Sequence, residues 1–299
     1  MSVLDAAVTP EPEVITARRP VGALLRGSIR LWRMRIGILL VLLVVGIALV
    51  GPLLAPHGPQ DFVGTPNTGP SSIARFGTDH IGQDVWSRFL YGGSEILGLA
   101  AAATALGLAL GITVGLVAAY SKSHLDDVLM RGMDVILAFP QIMLALVVIA
   151  TVGPKPWLVV LAVGFTTMPR VARVTRGAAQ PVVERDFVAA AEALGVPRIR
   201  ILFGEVLPNI LGPLLVEASL RMTYSIGLIA ALAFLGFATN PNGANWGLMI
   251  QENEIALVVQ PWGVLLPVIA IALLTVGTGL VGDGIARAAA GIDRTQAAE

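Results

Sequence analysis

Glu217 and Arg221 stand four residues apart in an otherwise apolar stretch, so one helical face carries a carboxylate and a guanidinium able to neutralise each other. Ionisable groups are rare inside apolar spans because the charged form is poorly solvated there. The pair admits two readings: it lines a polar cavity, or it is a self-satisfied pair near a membrane boundary that orients its helix. A second concentration of polar groups, residues 184–208, sets Arg185, Asp186 and Glu192 among Ala189, Ala190, Ala191 and Ala193, followed by Gly195, Pro197, Leu207 and Pro208. Asp186 is placed to cap a short helix, Gly195 to end it in the left-handed conformation, and Pro197 to open another. A small-residue helix of this kind fits deep in a groove on a partner, with the three charges at its rim. It equally suits an amphipathic helix lying on the membrane surface.

Other chemistry is missing. Phosphate cradling needs a Gly-rich loop ending in Gly-Lys-Ser/Thr, and the two lysines, Lys122 and Lys155, lie in no such setting. His57, His80 and His124 fall in three different loops without a His-Glu-x-x-His pair, and no Gly-x-Ser-x-Gly occurs. With no cysteine, thiolate catalysis and cysteine metal sites are excluded. The expectation is a non-catalytic chain that holds no cofactor and no metal. Twenty basic and twenty acidic residues balance, which gives no basis for nucleic-acid binding.

The elements that position these residues belong in a bilayer. The 299 residues are 55% hydrophobic and 13% charged, with a mean hydropathy of +0.79, too apolar to clothe a water-soluble globule. Uncharged runs long enough to cross about 30 Å of hydrocarbon occupy 36–55, 96–120, 135–152 and 261–282. A shorter run, 156–169, continues its apolar pattern through Val171 and Val174 if Arg170 and Arg173 snorkel. A sixth covers 209–238 and carries Glu217 and Arg221. The expected fold is an all-α polytopic membrane protein with six transmembrane helices and both termini on one side. Sixteen Lys and Arg residues fall in the terminal tails and in two of the loops, against Arg75, Arg88 and Lys155 on the other side, so the termini and residues 184–208 are assigned to the cytoplasm.

Boundaries follow: a cytoplasmic tail at 1–34, a first transmembrane helix at 35–56, an extracytoplasmic loop at 57–93, a five-helix transmembrane domain at 94–285 and a cytoplasmic tail at 286–299. Within the external loop, Thr78 or Asp79 is expected to cap a helix whose Val85, Trp86, Phe89 and Leu90 oppose Asp84, Ser87 and Arg88, a pattern suited to the headgroup region. Gly107, Gly111 and Gly115 recur at four-residue spacing and mark a close helix–helix approach. Asp134 and Asp283 are read as boundary anchors.

Residues 186–208 resemble the cytoplasmic loop of permease subunits of ATP-binding-cassette importers. That pattern is Glu-Ala-Ala, three residues, Gly, nine residues, Ile, one residue, Leu-Pro, and Ala190, Ala191, Gly195, Leu207 and Pro208 fall on it. Ala189 replaces the Glu and Glu205 the Ile. Phe76-Gly-Thr-Asp79, Gly82, Asp84, Ser87-Arg88 and Tyr91-Gly92 resemble the external signature of the peptide and nickel importer branch, specifically its second subunit, with Gln83 and Ser94 where Arg is common. Further matches are Arg131, Asp134, Ala138-Phe-Pro140, Trp246-Gly247, Met249, Pro261-Trp262, Pro267 and Gly282-Asp283-Gly284, so the likeness runs over about 30–290.

The resemblance implies the type I importer permease fold and transport of di- or oligopeptides. It implies as partners a second homologous permease, two ATPases that bind ATP and magnesium, and an extracytoplasmic substrate-binding protein. Arg185, Asp186, Ala189, Ala190, Ala191, Glu192, Gly195, Leu207 and Pro208 would couple to an ATPase. Glu217 and Arg221 would face the translocation cavity and meet the charged ends of a peptide, and Asp79, Asp84, Trp86 and Arg88 would lie on the receptor side. The competing reading is a carrier driven by an ion gradient, but such a carrier should bury coupling acids and show an internal repeat. No repeat is evident, and five of the six spans lack a mid-membrane acid.

Overall fold

A computed structural model describes residues 29, 31–121 and 123–290; the tail assignments for 1–28 and 291–299 lie outside the described residues. Ten helices organise the described residues: α1 Trp32–Leu54, α2 Val85–Tyr91, α3 Gly93–Tyr120, α4 Leu125–Leu137, α5 Gln141–Val152, α6 Pro156–Val183, α7 Asp186–Ala193, α8 Leu211–Leu232, α9 Trp246–Asn253 and α10 Trp262–Ala290. Short helical turns at Arg198–Arg200, Ile201–Val206 and Leu207–Asn209 link α7 to α8. No strand occurs among the described residues beyond two isolated bridges, Phe62 with Gln83 and Thr78 with Asp84.

Among the described residues five helices are long and apolar enough to cross a membrane, and α4 with α5, a bent pair, makes a sixth span when the two are taken together. The expected span over 135–152 is broken within its first turns, α4 ending at Leu137 and α5 starting at Gln141. Hydropathy runs unbroken through that stretch, yet the axis turns by 79° between α4 and α5. Pro140 has no N–H to donate, and its ring clashes with a continuing helix. Its carbonyl instead starts α5, accepting from the Met143 and Leu144 amides at 3.0 and 3.2 Å. With 12 residues α5 rises only about 18 Å, too short to span alone.

The 156–169 run is likewise longer than its apolar part. α6 extends 28 residues to Val183. Arg173 does not snorkel: it pairs with Asp134 of α4, and Arg176 grips Asp126 with Nε and a terminal nitrogen at 2.6 and 2.5 Å. Pairing with α4 lets the cationic segment stay helical.

The glycine stripe of α3 meets α6. A Cβ on Gly107 would come 2.1 Å from Thr167 Oγ1, one on Gly111 2.5 Å from Val171 Cβ, and one on Gly115 2.5 Å from the Ala172 carbonyl oxygen. The two backbones therefore touch along three turns, as the spacing predicts. α10 packs on α1 and α8 to complete the bundle, with Gly37 and Gly277 facing each other between α1 and α10.

The largest core cluster joins α1, α2, α3, α5, α6, α8, α9 and α10 around Trp246, which is fully buried. Its ring stacks on Phe89 at 5.6 Å, its indole N–H donates to the Phe89 carbonyl at 2.8 Å, and the aromatic run continues through Trp86 and Phe76 to Trp262. This cluster marks the α9 end of the bundle; α7 marks the opposite end.

Candidate functional site

At the α7 end, α6 passes into α7 through Glu184 and Arg185. Arg185 occupies the capping position without a side-chain bond, so the expectation that Asp186 caps the helix is corrected. Asp186 is instead the first helical residue, where its carboxylate complements the positive end of the helix. Gly195 ends α7 with φ of 75°, a conformation in which a side chain is strained. The Val196 amide donates to the Ala191 carbonyl at 3.1 Å and the Gly195 amide to the Glu192 carbonyl at 3.0 Å, a reverse turn that satisfies the last carbonyls.

One face of α7 is anchored and the other bare. Val188, 2% exposed, sinks into a cluster with Leu116, Ala179, Val182, Ile201, Leu202, Val206, Ile210 and Leu214. Ala189, Ala190 and Ala193 point outward, beside Leu194 at 83% and Ile199 at 73% exposed. Ala191 is half-buried inward. Glu192, expected at the outer rim, turns back and hydrogen-bonds the Tyr120 hydroxyl, because the helical phase places it on the anchored side. Behind it a cavity of about 700 Å³ is lined by Tyr120, Ser121, Glu192, Arg198 and Leu202 among others. Leu207 is half-buried and Pro208 exposed in the following turn. Glu205 also faces outward, so a charge at that departure from the pattern stays hydrated.

Midway along the bundle, Glu217 and Arg221 are 6% and 5% exposed and pair at 2.8 Å between Oε1 and Nε. Both side chains are turned into the chain's own packing, and the Arg221 guanidinium carbon lies 4.8 Å from the Tyr224 ring centre. The surface in front of them is formed by Tyr224, 52% exposed, and by Arg170 of α6, whose guanidinium carbon lies 5.8 Å from the same ring centre. The sequence reading missed both as site residues. The signal was Arg170 in an apolar run and a tyrosine one turn after Arg221.

At the α9 end the residues expected on the external loop lie inside the protein. Asp84, not Thr78 or Asp79, caps α2, accepting from the Ser87 amide at 3.0 Å and its hydroxyl at 2.6 Å. Asp79 is fully buried and accepts from the Ile81 and Gln83 amides at 3.0 and 2.8 Å. Arg88, 3% exposed, bridges Asp79 and Glu252, the latter at 2.8 Å. Asn253 accepts from the His80 amide at 3.1 Å, and Gln260 donates to the Phe76 carbonyl. The picture of a headgroup helix with a wet polar face is therefore corrected: the polar face of α2 closes on α9. Asp79, Asp84 and Arg88 are enclosed by this chain, so none of the three presents a free surface to a receptor; Trp86 is half-buried in the aromatic run. A local pattern cannot reveal a partner carboxylate as distant in sequence as Glu252.

Similarity to known proteins accords with this arrangement. Residues 111–290 match the family model described as "binding-protein-dependent transport system inner membrane component". Among the most similar proteins are the di/tripeptide transport system permease protein of Pseudomonas aeruginosa, 36% identical over 83% of this chain and 84% of the relative. The dipeptide transport system permease protein of Alkalihalophilus pseudofirmus is 33% identical over 84% and 83%, and the glutathione transport system permease protein of Pectobacterium atrosepticum is 34% identical over 83% of each. Five long apolar helices with a bent sixth pair, a helix with a bare face at one end and a match over most of the chain lead to one assignment: this protein belongs to the family of binding-protein-dependent inner-membrane transport components, as an ATP-binding-cassette importer permease of the peptide transport group.

Proposed function

We propose that this chain forms, with a second homologous permease, the pathway through which di- or oligopeptides enter the cell, and that α7 couples it to ATP hydrolysis on partner chains. ATP and magnesium bind to two ATPase subunits and none to this chain; an extracytoplasmic binding protein delivers the cargo. Both termini and α7 face the cytoplasm and the α9 end faces outside.

The observation that carries this reading is the division of α7: Val188 anchors it while Ala189, Ala190, Ala193 and the 83%-exposed Leu194 stand uncovered. A bare small-residue face at the end of a membrane bundle suits insertion in a groove on another protein. Its direct continuity with α6 gives a docked partner a grip on the membrane helices. Arg185 and Asp186, both exposed at the start of α7, supply polar contacts at the groove edge.

The test uses the full transporter assembled with its partner subunits. Ala190→Trp should block seating, and Gly195→Pro should distort the turn that ends α7. In each variant ATPase activity should persist while peptide uptake falls to background, with membrane insertion unchanged. Full coupling in both variants would sink the assignment.

A further inference from the structure

α6 carries three arginines, and two of them are matched: Arg173 with Asp134 and Arg176 with Asp126. Arg170 is different. It is exposed, no carboxylate among the described residues pairs with it, and its contact is the Tyr224 ring. By rise per residue it lies about 21 Å from the first residue of α6 and about 20 Å from the last, inside a helix long and apolar enough to cross a membrane. An unpaired guanidinium within a spanning helix is costly against lipid and is retained where it faces a polar cavity or a partner charge.

The surroundings define the chemistry. Arg221 is neutralised by Glu217, so the excess positive charge around Tyr224 belongs to Arg170. The ring is flanked by both guanidinium groups, an arrangement that holds a cation by its quadrupole without consuming N–H donors. The donors of Arg170 stay available for a planar acceptor, and the guanidinium fork matches a carboxylate in a bidentate manner. An ammonium group is repelled at the same place.

We propose that Arg170 and Tyr224, braced by the buried Glu217–Arg221 pair, form a carboxylate-recognition point in the translocation pathway, through which cargo with a free carboxylate passes preferentially. This rests on the peptide-permease reading above and adds the group by which the membrane domain itself reads the cargo. A carboxylate could come from the cargo or from a companion permease; the position commits to cargo, and the experiment separates the two.

The probes are labelled dialanine and its C-terminal amide, taken up by cells that lack other peptide permeases and express the complete transporter with wild-type chain, Arg170→Gln, Arg170→Lys or Tyr224→Leu. The binding protein is common to all strains, so its own preference cancels when acid-to-amide uptake ratios are compared. A charge-assisted hydrogen bond of ordinary strength predicts that Arg170→Gln lowers the ratio roughly tenfold or more. Arg170→Lys should retain part of the ratio and Tyr224→Leu should reduce it. An unchanged ratio in Arg170→Gln overturns the recognition point while leaving the permease reading intact. Loss of the companion permease on purification of Arg170→Gln and Arg170→Lys alike would also overturn it, assigning the charge to assembly. Failure of the wild-type complex to import either probe would remove dipeptides from the reading above and overturn this inference with them.

Discussion

Removing the Arg88 charge tests whether the α9 end is a structural clasp. In Arg88→Met the apolar stem keeps much of its packing, but Asp79 and Glu252 lose their shared cation. Glu252 is 15% exposed and regains water at modest cost; Asp79 is fully buried and keeps only its amide bonds from Ile81 and Gln83. Breaking a buried pair from one side typically costs about 3–5 kcal/mol, because it strands the remaining charge. Neutralising that charge as well, in Arg88→Met/Asp79→Asn, should recover a large share of the loss. The assay is SDS-titration unfolding of the purified transporter followed by tryptophan fluorescence, since Trp86 and Trp246 belong to the adjoining aromatic run. A single variant within about 1 kcal/mol of wild type, the range of exposed pairs, would refute the clasp. A double variant no better than the single would refute the stranded-charge explanation.

Three further outcomes are expected. Gly111→Leu should destabilise the α3–α6 contact by about 1–3 kcal/mol or more and lower the yield of assembled transporter, because even its Cβ would lie 2.5 Å from Val171 Cβ; Gly98→Leu, with open space around it, should be tolerated. The absence of native cysteine makes the proposed orientation measurable: a membrane-impermeant maleimide should label Ile255→Cys, at a 95%-exposed position, in intact cells, and Ile199→Cys only after permeabilisation. The opposite pattern would invert the topology. Asp126→Asn should weaken the bidentate tie to Arg176 by about 1 kcal/mol, given its partial exposure, read as a small shift in the same SDS titration.

What could be read locally was read well. The apolar runs located the passes, the spacing of Gly107, Gly111 and Gly115 announced the α3–α6 contact, and Gly195 lies at φ of 75° where a left-handed stop was expected. The misses share one cause, which is that the deciding partner is remote in sequence. The hydropathy of α6 declines after Pro169, but the helix continues because Arg173 and Arg176 find Asp134 and Asp126 on α4. Asp84 and Arg88 look like a wet face until α9 closes over them. Glu192 looks like rim chemistry until the phase of α7 is known. The break at Pro140 is the exception: a proline in an apolar run is a local signal, but hydropathy has no term for a missing N–H and does not register it. Glu217 and Arg221 were correctly paired, but the uncovered groups in front of them, Arg170 and Tyr224, came from two different helices.

The clasp at the α9 end also constrains biogenesis. Arg88, His80, Phe76, Phe89 and Glu95 belong to the first third of the polypeptide, while the groups that satisfy them, Glu252, Asn253, Gln260, Trp246 and Asn245, are among the last to leave the ribosome. A nascent chain that has already threaded its early helices therefore carries unfinished polar sockets until translation nears its end. A product truncated before Asn245 lacks the closing piece altogether and leaves those early polar groups without their partners.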